Sequence, residues 1–168
     1  MSGNRNFWKV FVAHPNDVDK DAKVVEKAIE ELNQIRPNSI PLMFRSGKTH
    51  GVPGVGKESI EDVLIKSIGE FDIFVGIMWK KFGEPIKFRG KKYKSATEAE
   101  FEYALDRREL KENIDIMFYF SDKSLHKEVD PEQYKLVKEF RDSLKEKNVY
   151  YGLYAQLQTW VECGKSKA

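Results

Sequence analysis

The chain is poor in the residues that staple or anchor small proteins. Cys163 is its one cysteine, which excludes a disulfide framework and a cysteine-based metal site. Two of its three histidines, His50 and His126, have no partner at metal-ligand spacing. No apolar run approaches the roughly 20 residues that span a bilayer, and the N-terminus has no apolar signal region. The expectation is a soluble chain in a reducing, cytoplasmic setting, with no membrane partner and no metal. Internal repeats and low-complexity tracts are missing, and no nucleophile elbow supports a Ser/His/Asp hydrolase.

What is there is globular. The 168 residues are 40% hydrophobic and 33% charged, enough for one domain over 1–168 with a core spanning about 7–163. Phe7–Ala13 is a short apolar run of the kind that forms a strand covered on both faces. It breaks at His14-Pro15-Asn16-Asp17. Val18, Ala22, Val25, Ile29 and Leu32 then recur at helical spacing, predicting an amphipathic helix over Asp17–Gln34. Ser39–Arg45 reads as a second strand, placed at an edge by Pro41. A glycine-rich loop over Ser46–Gly56 precedes a helix marked by Ile60, Val63, Leu64 and Ile68.

Phe71–Trp79 is the most apolar run and the expected central strand. A basic loop over Lys80–Lys94 leads to a helix from Ser95 to about Lys111. Ile114–Phe120 is a fourth strand, Asp130-Pro131 opens a helix carrying Tyr134, Val137, Phe140 and Leu144, and Val149–Tyr154 is a fifth strand. A last helix over Ala155–Glu162 completes the pattern, and a chain that stops there suggests an excised domain.

Strand and helix alternate five times. This predicts an α/β flavodoxin-like three-layer sandwich whose five-stranded parallel sheet has the order 2-1-3-4-5. Such a sheet binds ligands beyond the carboxyl ends of its first and third strands, where the winding reverses. His14, Pro15, Asn16, Trp79 and Glu100 are therefore expected to converge on one crevice.

Glu100 stands out on the helix that opens at Ser95. Ser95 and Glu98 form a capping box, with Glu98 reaching back to the Ser95 N–H. Phe101, Ala104, Leu105 and the stem of Arg108 make the buried stripe, and Glu100 falls on a flank with no evident structural job. A lone carboxylate is insufficient for most glycosidases. It suffices for an N-ribosyl pyridinium such as NAD+, because nicotinamide departs as a neutral base and needs no proton donor. The protein then has only to stabilise or trap the ribosyl cation. Trp79 offers a ring for stacking, or else packs beneath a loop.

The loop over Lys80–Lys94 holds seven basic residues against Glu84 alone. It suits a pyrophosphate, a nucleic-acid backbone with Phe82, Phe88 and Tyr93 as stacking platforms, or a solvated hairpin. Gly51–Lys57 fits the first seven positions of a P-loop, but Glu58 stands where Ser or Thr should hold magnesium. Nucleotide hydrolysis is therefore not expected.

Taken together, the motifs resemble the Toll/interleukin-1 receptor (TIR) family over nearly the whole chain. Trp8–His14 is similar to its opening strand and Gly51-Val52-Pro53-Gly54 to its Pro-Gly loop. Phe71–Trp79, Phe82-Gly83 and Ser95–Phe101 look closest to the TIR-like domains of bacterial signalling and defence proteins. Enzymatic members cleave NAD+ with a glutamate in Cys-x-x-Glu, which here becomes Thr97-x-x-Glu100. Nucleoside deoxyribosyltransferases, relatives by fold, carry Gly-Thr-x-x-Glu at the same place.

The resemblance implies an NAD+ glycohydrolase with no cofactor. Glu100 would be catalytic, with His14, Asn16, Arg45, Trp79, Phe82 and Thr97 binding NAD+ as substrate. Self-association would run through the loop at Pro53 and Gly54, and nucleic acid is not the expected partner. The alternatives are a non-catalytic interaction module and a nucleoside N-glycosidase or deoxyribosyltransferase-like enzyme.

Overall fold

The structure, a computed structural model, describes residues 6–46, 68–110, 112–125 and 128–155. Strand β1 (Trp8–Ala13) is followed by a 3-10 turn (Asn16–Val18), helix α1 (Asp19–Ile35) and β2 (Leu42–Ser46). Then come β3 (Ile73–Met78), the short strands β4 (Ile86–Phe88) and β5 (Lys91–Tyr93), and α2 (Ala96–Glu109). The described elements close with β6 (Asp115–Ser121), α3 (Pro131–Ser143) and β7 (Tyr151–Tyr154). The main sheet is parallel with order β2-β1-β3-β6-β7, so the flavodoxin-like arrangement expected from the alternating pattern is the one found. The helices expected over Ile60–Ile68 and Ala155–Glu162 lie outside the described residues, apart from a buried Ile68 and the exposed Ala155.

Side-chain alternation along β1 and β3 separates two cores. Phe11, Ala13, Phe74 and Met78 face α2 and α3, joining Ala99, Phe101, Ala104, Val137 and Phe140. Val10, Val12, Val75 and Ile77 face α1 and meet Val18, Ala22 and Ile29. The first core is aromatic: Phe101 lies 5.7 Å from Phe118 and 5.3 Å from Phe140, each edge-on.

Two local differences from the sequence expectation have physical causes. Strand β2 begins at Leu42, not Ser39: the Pro41 carbonyl accepts from Trp8 N–H at 2.8 Å, and the Asn33 amide takes both backbone groups of Leu42 at 2.8 Å. That amide covers one residue of an edge strand. Helix α1 starts two residues late, because the Asp17 carboxylate accepts from the N–H groups of Lys80 and Lys81. Of the readings open for the basic loop, the hairpin is the one found, closed by Arg89 and Gly90 at φ of 50° and 76°. Two consecutive positive φ values are what a two-residue hairpin turn requires. Among the described residues, no helix is long and apolar enough to cross a membrane.

Gly76 sits opposite Phe118 in the β3–β6 register, and a Cβ there would lie 2.2 Å from the Phe118 ring. Overpacking of this kind costs about 1–3 kcal/mol. Gly76→Ala should lower the urea midpoint accordingly, and adding Phe118→Leu should recover part of the loss; a neutral Gly76→Ala would contradict the close packing of these strands.

Candidate active site at the carboxyl ends of the strands

The phase of α2 is set at its first residue. Ser95 Oγ accepts from Glu98 N–H at 3.1 Å, while the Glu98 carboxylate accepts from Lys94 N–H at 2.6 Å rather than from Ser95. The cap thus reaches one residue further back than a standard capping box. The inward face then carries Thr97, Glu100, Phe101, Ala104 and Leu105, the i, i+3, i+4, i+7, i+8 series of a buried stripe. Glu100 therefore lies on the stripe and not on a flank. It is 7% exposed and Thr97 is 4% exposed. Glu100 also makes an interaction within the chain, so it is not without a structural tie. Glu102, on the other flank, pairs with Lys147.

His14 follows β1 directly. Its Nδ1 lies 2.9 Å from the Pro15 carbonyl and 3.3 Å from Asp19 Oδ1. Both neighbours are acceptors, so Nδ1 carries the proton, and in the neutral ring Nε2 is the acceptor end.

The α1 side of the sheet holds a polar network that the sequence reading missed. Asp21, 8% exposed, accepts from Lys123 Nζ at 3.0 and 3.2 Å and from Tyr154 Oη at 3.0 Å. Trp79 Nε1 donates to the Lys123 carbonyl at 3.2 Å, and Lys80 Nζ sits 4.6 Å above the Trp79 ring. Asp17 and Asp21 are four residues apart in the inward phase of Val18 and Ala22. That misplaced pair of acids was the available signal.

The sequence-derived site residues are thus divided. His14 and Trp79 belong to the α1 face, where Trp79 packs against the second core and one face of its ring meets Lys80. Asn16 is exposed in the 3-10 turn. Thr97 and Glu100 belong to α2 in the other layer. Phe82 is 1% exposed and packs edge-on against Phe140 at 5.5 Å, so it is a core residue and not a ligand contact. Arg45 lies along Gly69, where a Cβ would stand 3.1 Å from its Nη1, ahead of the start of β3.

Pro53, Gly54, the P-loop-like run, His50, His126 and Cys163 lie outside the described residues. Among the described residues, no cluster of three His, Cys, Asp or Glu could hold a metal. A cleft of about 470 Å³, lined by Trp8, Asn33, Arg36, Asp72 and Asp115, opens at the amino ends of the strands, away from Glu100.

The tip of the cationic hairpin reaches down α2, away from its first turn. Arg89 stacks over Tyr103 at 5.3 Å, about two turns into α2. What remains at the carboxyl ends is a nearly buried carboxylate on a helix that follows the switch-point strand. The helix packs on β1 as well as β3.

Burial, and then the Asp21 carboxylate, raise the Tyr154 hydroxyl well above its ordinary value of 10.0. A phenol held protonated in the fold but free to ionise when unfolded contributes stability in full below pH 10, and loses it as pH climbs further. Urea midpoints should therefore fall above pH 10, and Tyr154→Phe should flatten that fall. An unchanged slope would place the alkaline sensitivity elsewhere.

The family model described as "Domain of unknown function (DUF4062)" matches residues 9–163. No curated protein matches the chain.

Proposed function

The chain belongs to the DUF4062 family, and from the site within that fold we propose that it is an NAD+ glycohydrolase of the TIR type. One observation carries this: Glu100 is 7% exposed on the inward face of α2, the helix that follows the strand where the winding reverses. Ligands of doubly wound sheets bind at that reversal. A carboxylate so far from bulk water interacts with a developing cation more strongly than an exposed one.

In this mechanism the bond between C1′ of the ribose and the pyridinium nitrogen breaks, and its electron pair leaves with nicotinamide. The ribose carbon becomes cationic, and the Glu100 carboxylate stabilises or traps it. Water then adds to C1′, releasing a proton and giving ADP-ribose; attack by a group of the same nucleotide gives a cyclic product instead. Thr97, one turn before Glu100 on the same face, would help shape the ribose end of the pocket. Nicotinamide needs no protonation to depart, so a single acid residue meets the chemical demand.

The test is nicotinamide release from NAD+ by the chain at concentrations that permit self-association, with a nucleoside panel run alongside. Glu100→Gln, nearly isosteric, should lower the rate by about a hundredfold or more while leaving the thermal midpoint close to the parent's. Equal rates for parent and variant would overturn the assignment. Cleavage of nucleosides in place of NAD+ would move the activity to the N-glycosidase class.

A further inference from the structure

The β4–β5 hairpin is a separate ribbon outside the main sheet, yet it is built firmly. Phe88 is 1% exposed, with its ring 6.2 Å from Tyr93 and 6.3 Å from Tyr103. Ile86 and Tyr93 also pack on the aromatic core. The outward face is cationic. Lys87 and Lys92 are exposed and stand directly opposite each other in the register, a juxtaposition that destabilises a ribbon. Arg89 takes a turn position at φ 50°, where asparagine or glycine is favoured.

Among the described residues, none of Lys87, Arg89, Lys91 or Lys92 makes an ion pair, and Lys94 reaches Glu139 only at 3.9 Å. The acids that act on Tyr93 of the ribbon are Asp106, Glu102 and Glu98 of α2, and Glu84 precedes β4 by two residues. Of these, Glu102 is engaged by Lys147 and Glu98 by the Lys94 N–H. Two costly choices, a like-charge pair and a strained arginine, are thus kept on a rigid support.

We propose that this ribbon docks the phosphate backbone of a nucleic-acid duplex. The sequence suggested stacking on a single strand, but Phe82 and Phe88 are buried and Lys91 Nζ lies 5.2 Å over Tyr93. No free aromatic platform is left for bases. The tip is Arg89-Gly90 with no exposed apolar side chain, so it has nothing to insert into a bilayer. Recognition is through charge alone and is indifferent to sequence.

Fluorescence anisotropy with two labelled DNA duplexes of unrelated sequence, over a salt series, tests this. The expected slope of log K against log salt is about −3 to −5, at about −0.9 per neutralised phosphate, and the same for both duplexes. Replacing Lys87 and Lys92 together by threonine, a good strand former, should remove about two units of slope. The same variant should melt no earlier than the parent, because a repulsive pair has gone.

Lys20→Gln with Lys23→Gln, an equal charge change on α1, should leave the slope in place. A slope shallower than about −1, an unaffected hairpin variant, or an equal loss in the α1 variant would overturn the proposal. Tighter binding to phosphatidylserine vesicles than to duplex would overturn it too. Earlier melting of the hairpin variant would remove its premise.

Discussion

Phe101 is wedged between strands and helices, with Phe74 at 6.1 Å, Phe118 at 5.7 Å and Phe140 at 5.3 Å, and the rotation of α2 depends on that wedge. A helix turns about 100° per residue, so fixing Phe101 toward the sheet fixes Glu100 and Thr97 beside it. The Ser95 cap holds the same rotation from the helix end. An acidic side chain on a buried stripe is costly, and it stays there because four aromatic rings leave the helix no other way to face. The geometry of the candidate site is thus a by-product of core packing.

The strands impose a second constraint. Successive side chains point to opposite faces, so β1 sends Ala13 toward α2 and His14 toward α1, and β3 sends Met78 one way and Trp79 the other. Residues that topology gathers at one end of the sheet are then sorted by parity into two layers. Glu100 lies in the aromatic layer. The Asp21–Lys123–Tyr154 network and the His14–Asp19 pair lie in the other. Lys123 links the network to the end of β3 by carrying the carbonyl that Trp79 Nε1 reaches.

The fold was legible in the sequence because it rests on periodicity. Apolar runs at Phe7–Ala13 and Phe71–Trp79, and helical spacing from Val18 to Leu32, need no tertiary information. The helix-start signal at Ser95 was legible for the same reason. The flank assigned to Glu100 was not correct, since a stripe judged from hydrophobic residues alone leaves out a buried acid. The convergence of His14, Trp79 and Glu100 was drawn from strand ends without counting parity, and parity sends the first two toward α1 while Glu100 comes from α2. The hairpin was one of the readings open for the basic loop, and no more than that, because its strands are three residues long and rich in lysine, a poor strand former. Its Arg-Gly turn lacks the usual asparagine or aspartate. The aromatics Phe82 and Phe88, taken from sequence as surface platforms, gave no sign of burial because lysines flank them.

Lys147 touches α2 at two levels: its ammonium pairs with Glu102 and its carbonyl accepts from Arg108 at 3.1 Å. Six residues of helix separate those points, about 9 Å of rise. The turn before β7 therefore acts as a splint along the outer side of the helix. Any twist of α2 that moved the Glu100 carboxylate would have to shear both fastenings at once. The splint braces from outside what the aromatic rings brace from within, so the helix is stiff where a reacting carboxylate would need to be still.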